Sequence, residues 1–110
     1  MINSKQKGKR IERFFVNFLK ELGLTARRGQ QFKGTEDSPD IIVKEWKTYI
    51  HIEVKGGKKL NIFKALQQAV DDKSEEEIPI VFYKQDHKEP IVILFADKFV
   101  QIAQAWLDMA

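Results

Sequence analysis

Cysteine is missing from all 110 residues, which excludes disulfide staples and thiolate metal sites and leaves oxygen or histidine to hold any metal. Long apolar runs are missing as well, and nothing approaches the roughly 20 residues that a membrane-spanning helix needs. The opening segment MINSKQKGKR is basic but lacks the apolar centre of a signal peptide, so the expected location is the cytoplasm. Neither low complexity nor a fixed-period repeat interrupts the chain. What is present is ordinary for a globular protein: 43% hydrophobic and 32% charged residues. A chain of 110 residues suits one packed domain with a modest core and is short for two, so a single domain over residues 1–110 is expected.

The net charge of +3 conceals an asymmetry. Residues 1–33 hold nine Lys and Arg against only Glu12 and Glu21, a local charge of +7, and the remainder carries −4. One end of the molecule therefore suits a polyanion, although a solvated helix face would give the same composition.

From Ser4 to Leu22 the apolar residues Ile11, Phe14, Phe15, Phe18, Leu19 and Leu22 recur at helical spacing, and Gly23 is a natural stop. Residues 24–32 alternate as a strand, with Leu24, Ala26, Arg28, Gln30 and Phe32 on one side. A loop from Lys33 to Ser38 leads to Pro39, which belongs at the entrance of a strand because it cannot donate to a ladder. That strand runs from Asp40 to Val43, and a turn from Lys44 to Lys47 follows. Tyr49 to Lys55 reads as the clearest strand: Ile50, Ile52 and Val54 face one way, and Tyr49, His51, Glu53 and Lys55 the other. Gly56 and Gly57 break it, and Asn61 is placed to cap a helix with apolar positions Phe63, Leu66, Ala69 and Val70. Ser74 to Glu77 is expected to be a surface linker. The apolar runs Ile78 to Tyr83 and Ile91 to Phe95 suggest neighbouring strands in the covered part of a sheet, and a last helix begins near Asp97. The expectation is a mixed α/β fold with helices packed on a central sheet of five strands.

Asp40 opens one strand and Glu53 lies near the end of the next, with Lys55 two residues beyond. In adjacent strands such residues meet at one end of the sheet, and the two-residue period puts Glu53 and Lys55 on the same face. Paired carboxylates are the hard oxygen ligands that Mg²⁺ prefers, and a metal held by them neutralises charge on phosphate oxygens and lowers the pKa of water. A lysine, as a compact point charge, suits positioning of a nucleophile.

Pro39-Asp40 followed by Glu53-Val54-Lys55 resembles the PD-(D/E)XK nuclease signature, whose restriction-endonuclease-like core has the same helix and strand order over roughly residues 8–95. A narrower resemblance is carried by Gly8-Lys9-Arg10-Ile11-Glu12-Arg13 on the first helix and Arg27-Arg28-Gly29 on the strand after it. These look like the archaeal-type Holliday-junction resolvases and their phage relatives. The resemblance implies a catalytic set of Glu12, Asp40, Glu53 and Lys55, with Asp40, Glu53, Val54 and Glu12 at the metal. It also implies that Arg13 and Arg28 contact DNA phosphates, with Arg10 and Arg27 as further contacts of the same kind. Lys58 and Lys59, beside Gly56 and Gly57, form a basic loop suited to the DNA backbone.

Within that resemblance the loop before the aspartate departs from the resolvase pattern of small residues. It reads Lys33-Gly34-Thr35-Glu36-Asp37-Ser38, in which Thr35 or Ser38 takes the part of the family's serine and Glu36 and Asp37 are expected to be exposed. Gln67 and Gln68 stand where several related nucleases carry a glutamine, or form a polar helix face. His51 is expected beside bound DNA or simply at the surface, and Trp46 as a cover for the core.

The implied protein is a Mg²⁺-dependent, structure-selective endonuclease that hydrolyses DNA phosphodiesters, with Mn²⁺ able to substitute and four-way junctions as substrate. It would act in recombination and repair, in a prokaryotic cell or a phage-infected host. A homodimer matches the two-fold symmetry of a junction, and the apolar last helix, with Phe99, Val100, Ile102, Ala103, Trp106, Leu107 and Met109, suits either an interface or the core. The competing expectations are a general or nicking nuclease of the same fold and a catalytically silent DNA-binding module.

Overall fold

The computed structural model describes residues 4–30, 39–47 and 49–110. The expectations for Gln31, Phe32 and the Lys33 to Ser38 loop lie outside these residues. The first helix, α1, spans Ser4–Glu21. It ends where Gly23 adopts φ 93°, with the Leu24 N–H on the Leu19 carbonyl and the Gly23 N–H on that of Lys20. This paired termination needs a left-handed residue that glycine supplies without strain, and it brings Leu24 back onto the core beside Leu19.

Three strands follow: β1 (Ala26–Arg28), β2 (Ile41–Val43) and β3 (Ile50–Gly56), with a single 3-10 turn at Lys44–Trp46 between the last two. The helix α2 (Ile62–Asp72) starts at Asn61, whose side chain accepts from the Lys64 N–H at 3.0 Å. The chain closes with β4 (Ile78–Lys84), β5 (Ile91–Ile93) and α3 (Ala96–Met109). The five strands form one sheet in sequence order. β3 and β4 are parallel and every other neighbouring pair is antiparallel. A parallel pair needs a long crossover, which α2 provides.

Both faces of the sheet are covered. On one, Ile11, Phe15, Val16 and Leu19 of α1 pack on Ala26, Ile41, Val43, Ile52, Val54, Ile80 and Phe82. On the other, Ala65 and Leu66 of α2 pack on Val81, with Leu60, Ile93 and Phe95 around them. Several expectations change as a result. Among the described residues the first strand is Ala26–Arg28, paired with β2, and Leu24, Thr25, Gly29 and Gln30 lie outside it. β5 is the sheet's edge, with Ile91 and Val92 half exposed, because only β4 neighbours it. Phe63 is not on the buried stripe of α2, which runs through Ala65, Leu66 and Ala69.

Candidate active site

The site begins with Asp40. Its backbone N–H donates to the Ile52 carbonyl and its own carbonyl accepts from the Gly29 N–H, each at 2.9 Å. Its carboxylate Oδ2 accepts from the Val54 N–H at 2.7 Å. Asp40 is therefore fastened to the two residues that flank Glu53, with a side-chain oxygen standing where a ladder carbonyl would otherwise accept. Ile41 and Val43 point into the α1-side core, so alternation puts Asp40 on the opposite face, the face of His51, Glu53 and Lys55.

That face of β3 is covered by α2, with β4 alongside, where His51 pairs with Pro79, Glu53 with Val81 and Lys55 with Tyr83. Asp40 is 9% exposed, Glu53 3% and His51 0%. Buried carboxylates demand partners, and they have them. Oε1 of Glu53 lies 2.8 Å from Nε2 of His51, and Nδ1 of His51 lies 3.8 Å from Oε1 of Glu77. Glu77 in turn accepts from the Ser74 N–H at 2.7 Å. At the open end of the strand, the Lys55 ammonium donates to Oε1 of Gln68 on α2 at 2.7 Å.

The expectations of an outward His51 and of a surface linker as far as Glu77 are corrected here: both residues are buried against one another. The signal was in the sequence. An uninterrupted apolar run such as Ile78 to Tyr83 marks a strand covered on both faces, so its neighbour β3 must be covered on both faces too, polar positions included. Gln68, assigned equally to a polar helix face, meets Lys55 because one helical turn of α2 passes over the end of β3.

The remaining candidates are distributed around this centre. Glu12 is buried on α1, and its Oε1 accepts from Nε of Arg28 on β1 at 2.9 Å, so Glu12 and Arg28 form an ion pair that joins α1 to β1. Among the described residues no three carboxylates or histidines are gathered closely enough to grip a metal ion between them. The structure thus brings Asp40 and Glu53 together on one face, extends Lys55 from it, and ties Glu12 to Arg28. Arg27 reaches the Arg28 carbonyl through Nη1 at 3.3 Å. Arg10 lies 3.9 Å from Asp86 in a well-exposed pair, and Arg13 is exposed. Lys58 and Lys59 are exposed and, with Lys7 and Lys88, line a concavity beyond the end of β3. The loop there is shaped by Gly57 at φ 103°, whose carbonyl accepts from the Tyr83 hydroxyl.

A mixed five-stranded sheet clad in helices, with an aspartate entering one strand and a Glu-x-Lys on the next, defines the PD-(D/E)XK nuclease class. The model of the family described as archaeal Holliday junction resolvase (Hjc) matches residues 3–71, and the chain belongs to that family. The match runs from α1 to the end of α2 and takes in Glu12, Arg28, Asp40, Glu53, Lys55 and Gln68. Among solved structures, the chain is similar to Hjc of Archaeoglobus fulgidus, described as a Holliday junction resolvase from an archaeal hyperthermophile. The two are 25% identical, with a TM-score of 0.54, over 80% of this chain and 72% of that one. No curated protein matches the sequence significantly. Among the described residues no helix is long and apolar enough to cross a membrane.

Proposed function

We propose that the chain is a single-domain, homodimeric, structure-selective endonuclease that hydrolyses phosphodiesters at four-way DNA junctions. The observation that carries this is Asp40, bonded through its carboxylate to the Val54 N–H, standing beside the buried Glu53 on a chain of the junction-resolvase family.

The donors suit Mg²⁺ or Mn²⁺ in type, since they are oxygen ligands without sulfur. The protein engages both carboxylates, Oδ2 of Asp40 through Val54 and Oε1 of Glu53 through His51, so each group is oriented before a metal arrives. Asp40 and Glu53 would hold the ion, with Val54 at the same position and Glu12 assisting after release from Arg28. When bound, such an ion offsets charge developing on the phosphate oxygens and eases ionisation of water. Lys55 orients the attacking water, and Gln68, as its hydrogen-bond acceptor, aims the ammonium until substrate arrives. Arg10, Arg13, Arg27, Arg28, Lys58 and Lys59 contact phosphates, so binding should weaken steeply with salt.

Support for a dimer comes from the chain's last fifth. α3 buries none of its residues, and Ile91, Val92, Phe99, Trp106, Leu107 and Met109 are all at least half exposed. So much apolar surface asks for a partner, and a second copy suits the two-fold symmetry of a junction.

The test incubates the protein with a labelled four-way junction and a linear duplex of matching sequence, with Mg²⁺, Mn²⁺ or chelator. Paired nicks in the junction alone, abolished by chelator, are expected. Equal cutting of both substrates would make the protein a general nuclease, and retardation of the junction without cutting would make it a binding module. Sedimentation of the free protein at monomer mass would remove the dimer from the reading.

A further inference from the structure

We propose that His51 is a positioning residue for Glu53, holding one carboxylate oxygen inside the sheet so that the other is presented to the divalent cation. The inference rests on the role proposed above for Glu53. It starts from an oddity of burial. His51 is among the largest side chains with no exposure at all, in a strand where its neighbours Ile50 and Ile52 show what a covered position ordinarily takes. An apolar side chain would pack between Pro79 and α2 without demanding any polar partner. The imidazole instead brings two nitrogens into the interior, and among the described residues Nδ1 has no hydrogen-bond partner. Stability alone gives no reason to choose histidine at such a place.

The partner explains the choice. Glu53 follows by two residues on the same face, and its Oε1 lies 2.8 Å from Nε2. A carboxylate only accepts, so Nε2 carries a hydrogen and donates it to Glu53. On the Nδ1 side the only carboxylate described is Glu77, at 3.8 Å, beyond hydrogen-bond reach. Glu77 is itself anchored by the Ser74 N–H, so the hydrogen bond to Glu53 is what fixes the ring. Glutamate has three side-chain torsions, and a metal ligand that must find its rotamer on binding loses affinity. A ring that fixes the rotamer in advance removes that loss, and removal of such outer partners typically lowers metal affinity by about 10- to 100-fold.

The test compares His51→Leu with His51→Gln. The glutamine amide places an N–H donor near the position of Nε2, whereas leucine fills the space without a donor. Mn²⁺ binding to the DNA-free protein is read from the loss of the free-ion EPR signal, and junction affinity is measured separately in chelator. His51→Leu should weaken Mn²⁺ binding about 10-fold or more, and His51→Gln should return it to within about 3-fold of wild type. Junction affinity without metal should be unchanged in both. Wild-type Mn²⁺ affinity in folded His51→Leu, or an equal loss in His51→Gln, overturns the proposal.

If His51→Leu does not fold, ¹⁵N imidazole NMR of the wild-type protein decides. A hydrogen on Nε2, whether or not Nδ1 carries one, with ring signals broadened by Mn²⁺ supports the proposal, and a bare Nε2, or ring signals indifferent to Mn²⁺, refutes it. Glu53→Gln serves as the control. Mn²⁺ binding lost there but intact in His51→Leu removes only the role of His51, whereas Mn²⁺ binding undiminished in Glu53→Gln removes the nuclease centre itself.

Discussion

The two faces of β3 are covered alike and built of opposite chemistry. Ile52 and Val54 point at α1 among aliphatic and aromatic side chains, while His51 and Glu53 point at α2, no more exposed, as an imidazole and a carboxylate. The α1 face gains free energy from burial, and the α2 face gives some back to keep charge in a dry place. Burial of this kind on an otherwise well-packed strand is what the centre proposed above requires. The distinction can be broken experimentally, because each face should fail in its own way.

The largest expected effect is on the polar face. Glu53→Gln keeps an oxygen to accept from His51, so folding should survive, but the loss of one metal-holding charge should lower single-turnover junction cleavage by about 10³-fold. Junction affinity in chelator should move by less than about 3-fold, since phosphate contacts dominate binding. Cleavage at the wild-type rate would show that the buried carboxylate is structural after all, and the contrast between the faces would collapse.

The apolar face should show the reverse. Phe15 is 1% exposed and its ring centroid lies 5.2 Å from that of Phe82, so Phe15→Ala should cost about 3–5 kcal/mol in urea unfolding. Cleavage per folded molecule should be retained at temperatures where the variant stays native. A smaller probe sits at the junction of α1 with the sheet, where a Cβ on Gly56 would overlap the Ile11 side chain and lie 3.2 Å from the Lys84 carbonyl. Gly56→Ala should therefore cost about 1–3 kcal/mol as overpacking. An unchanged unfolding midpoint would mean that α1 shifts freely on the sheet.

Sequence patterns reached the α1 face more completely than the α2 face, and the reason is physical. Helical spacing from Ile11 to Leu19 and alternation from Ile50 to Val54 each describe one side of an element, and one apolar side suffices to find a core. The order of elements, the stop at Gly23, the cap at Asn61 and the placing of Glu53 and Lys55 on one face all follow from such local rules. The second face was legible only by combining strands: His51 has a polar letter, and alternation assigns polar letters to solvent unless a neighbouring strand reveals a second cover. Glu77 was hidden in an acidic run whose other members are exposed. The pairing of Glu12 with Arg28, residues 16 apart in sequence, depends on how α1 lies over β1, which no local period encodes.

The smallest effect expected sharpens the comparison from outside both faces, by asking what a carboxylate does when it serves stability alone. Glu45, in the turn after β2, accepts from the Thr25 N–H and the Thr25 hydroxyl, each at 2.8 Å. These two bonds, the backbone one foremost, hold its carboxyl below the usual 4.5. They tie the start of β1 to the end of β2 and so help set the strand that carries Arg28. A depressed folded-state pKa means that the ionised form favours the native protein. The contribution is therefore complete above about pH 4.5 and disappears as the pH falls through the lower folded value. Glu45→Gln should be slightly less stable than wild type at pH 7, with the gap closing below about pH 4 as the wild-type carboxyl takes up its proton. Because the group is in contact with solvent, the gap should also be small, and cleavage should not change at either pH beyond the wild-type profile. A gap that persisted undiminished at pH 3 would show that the amide loses something other than charge, and Glu45 would no longer stand as the purely structural counterpart of Glu53.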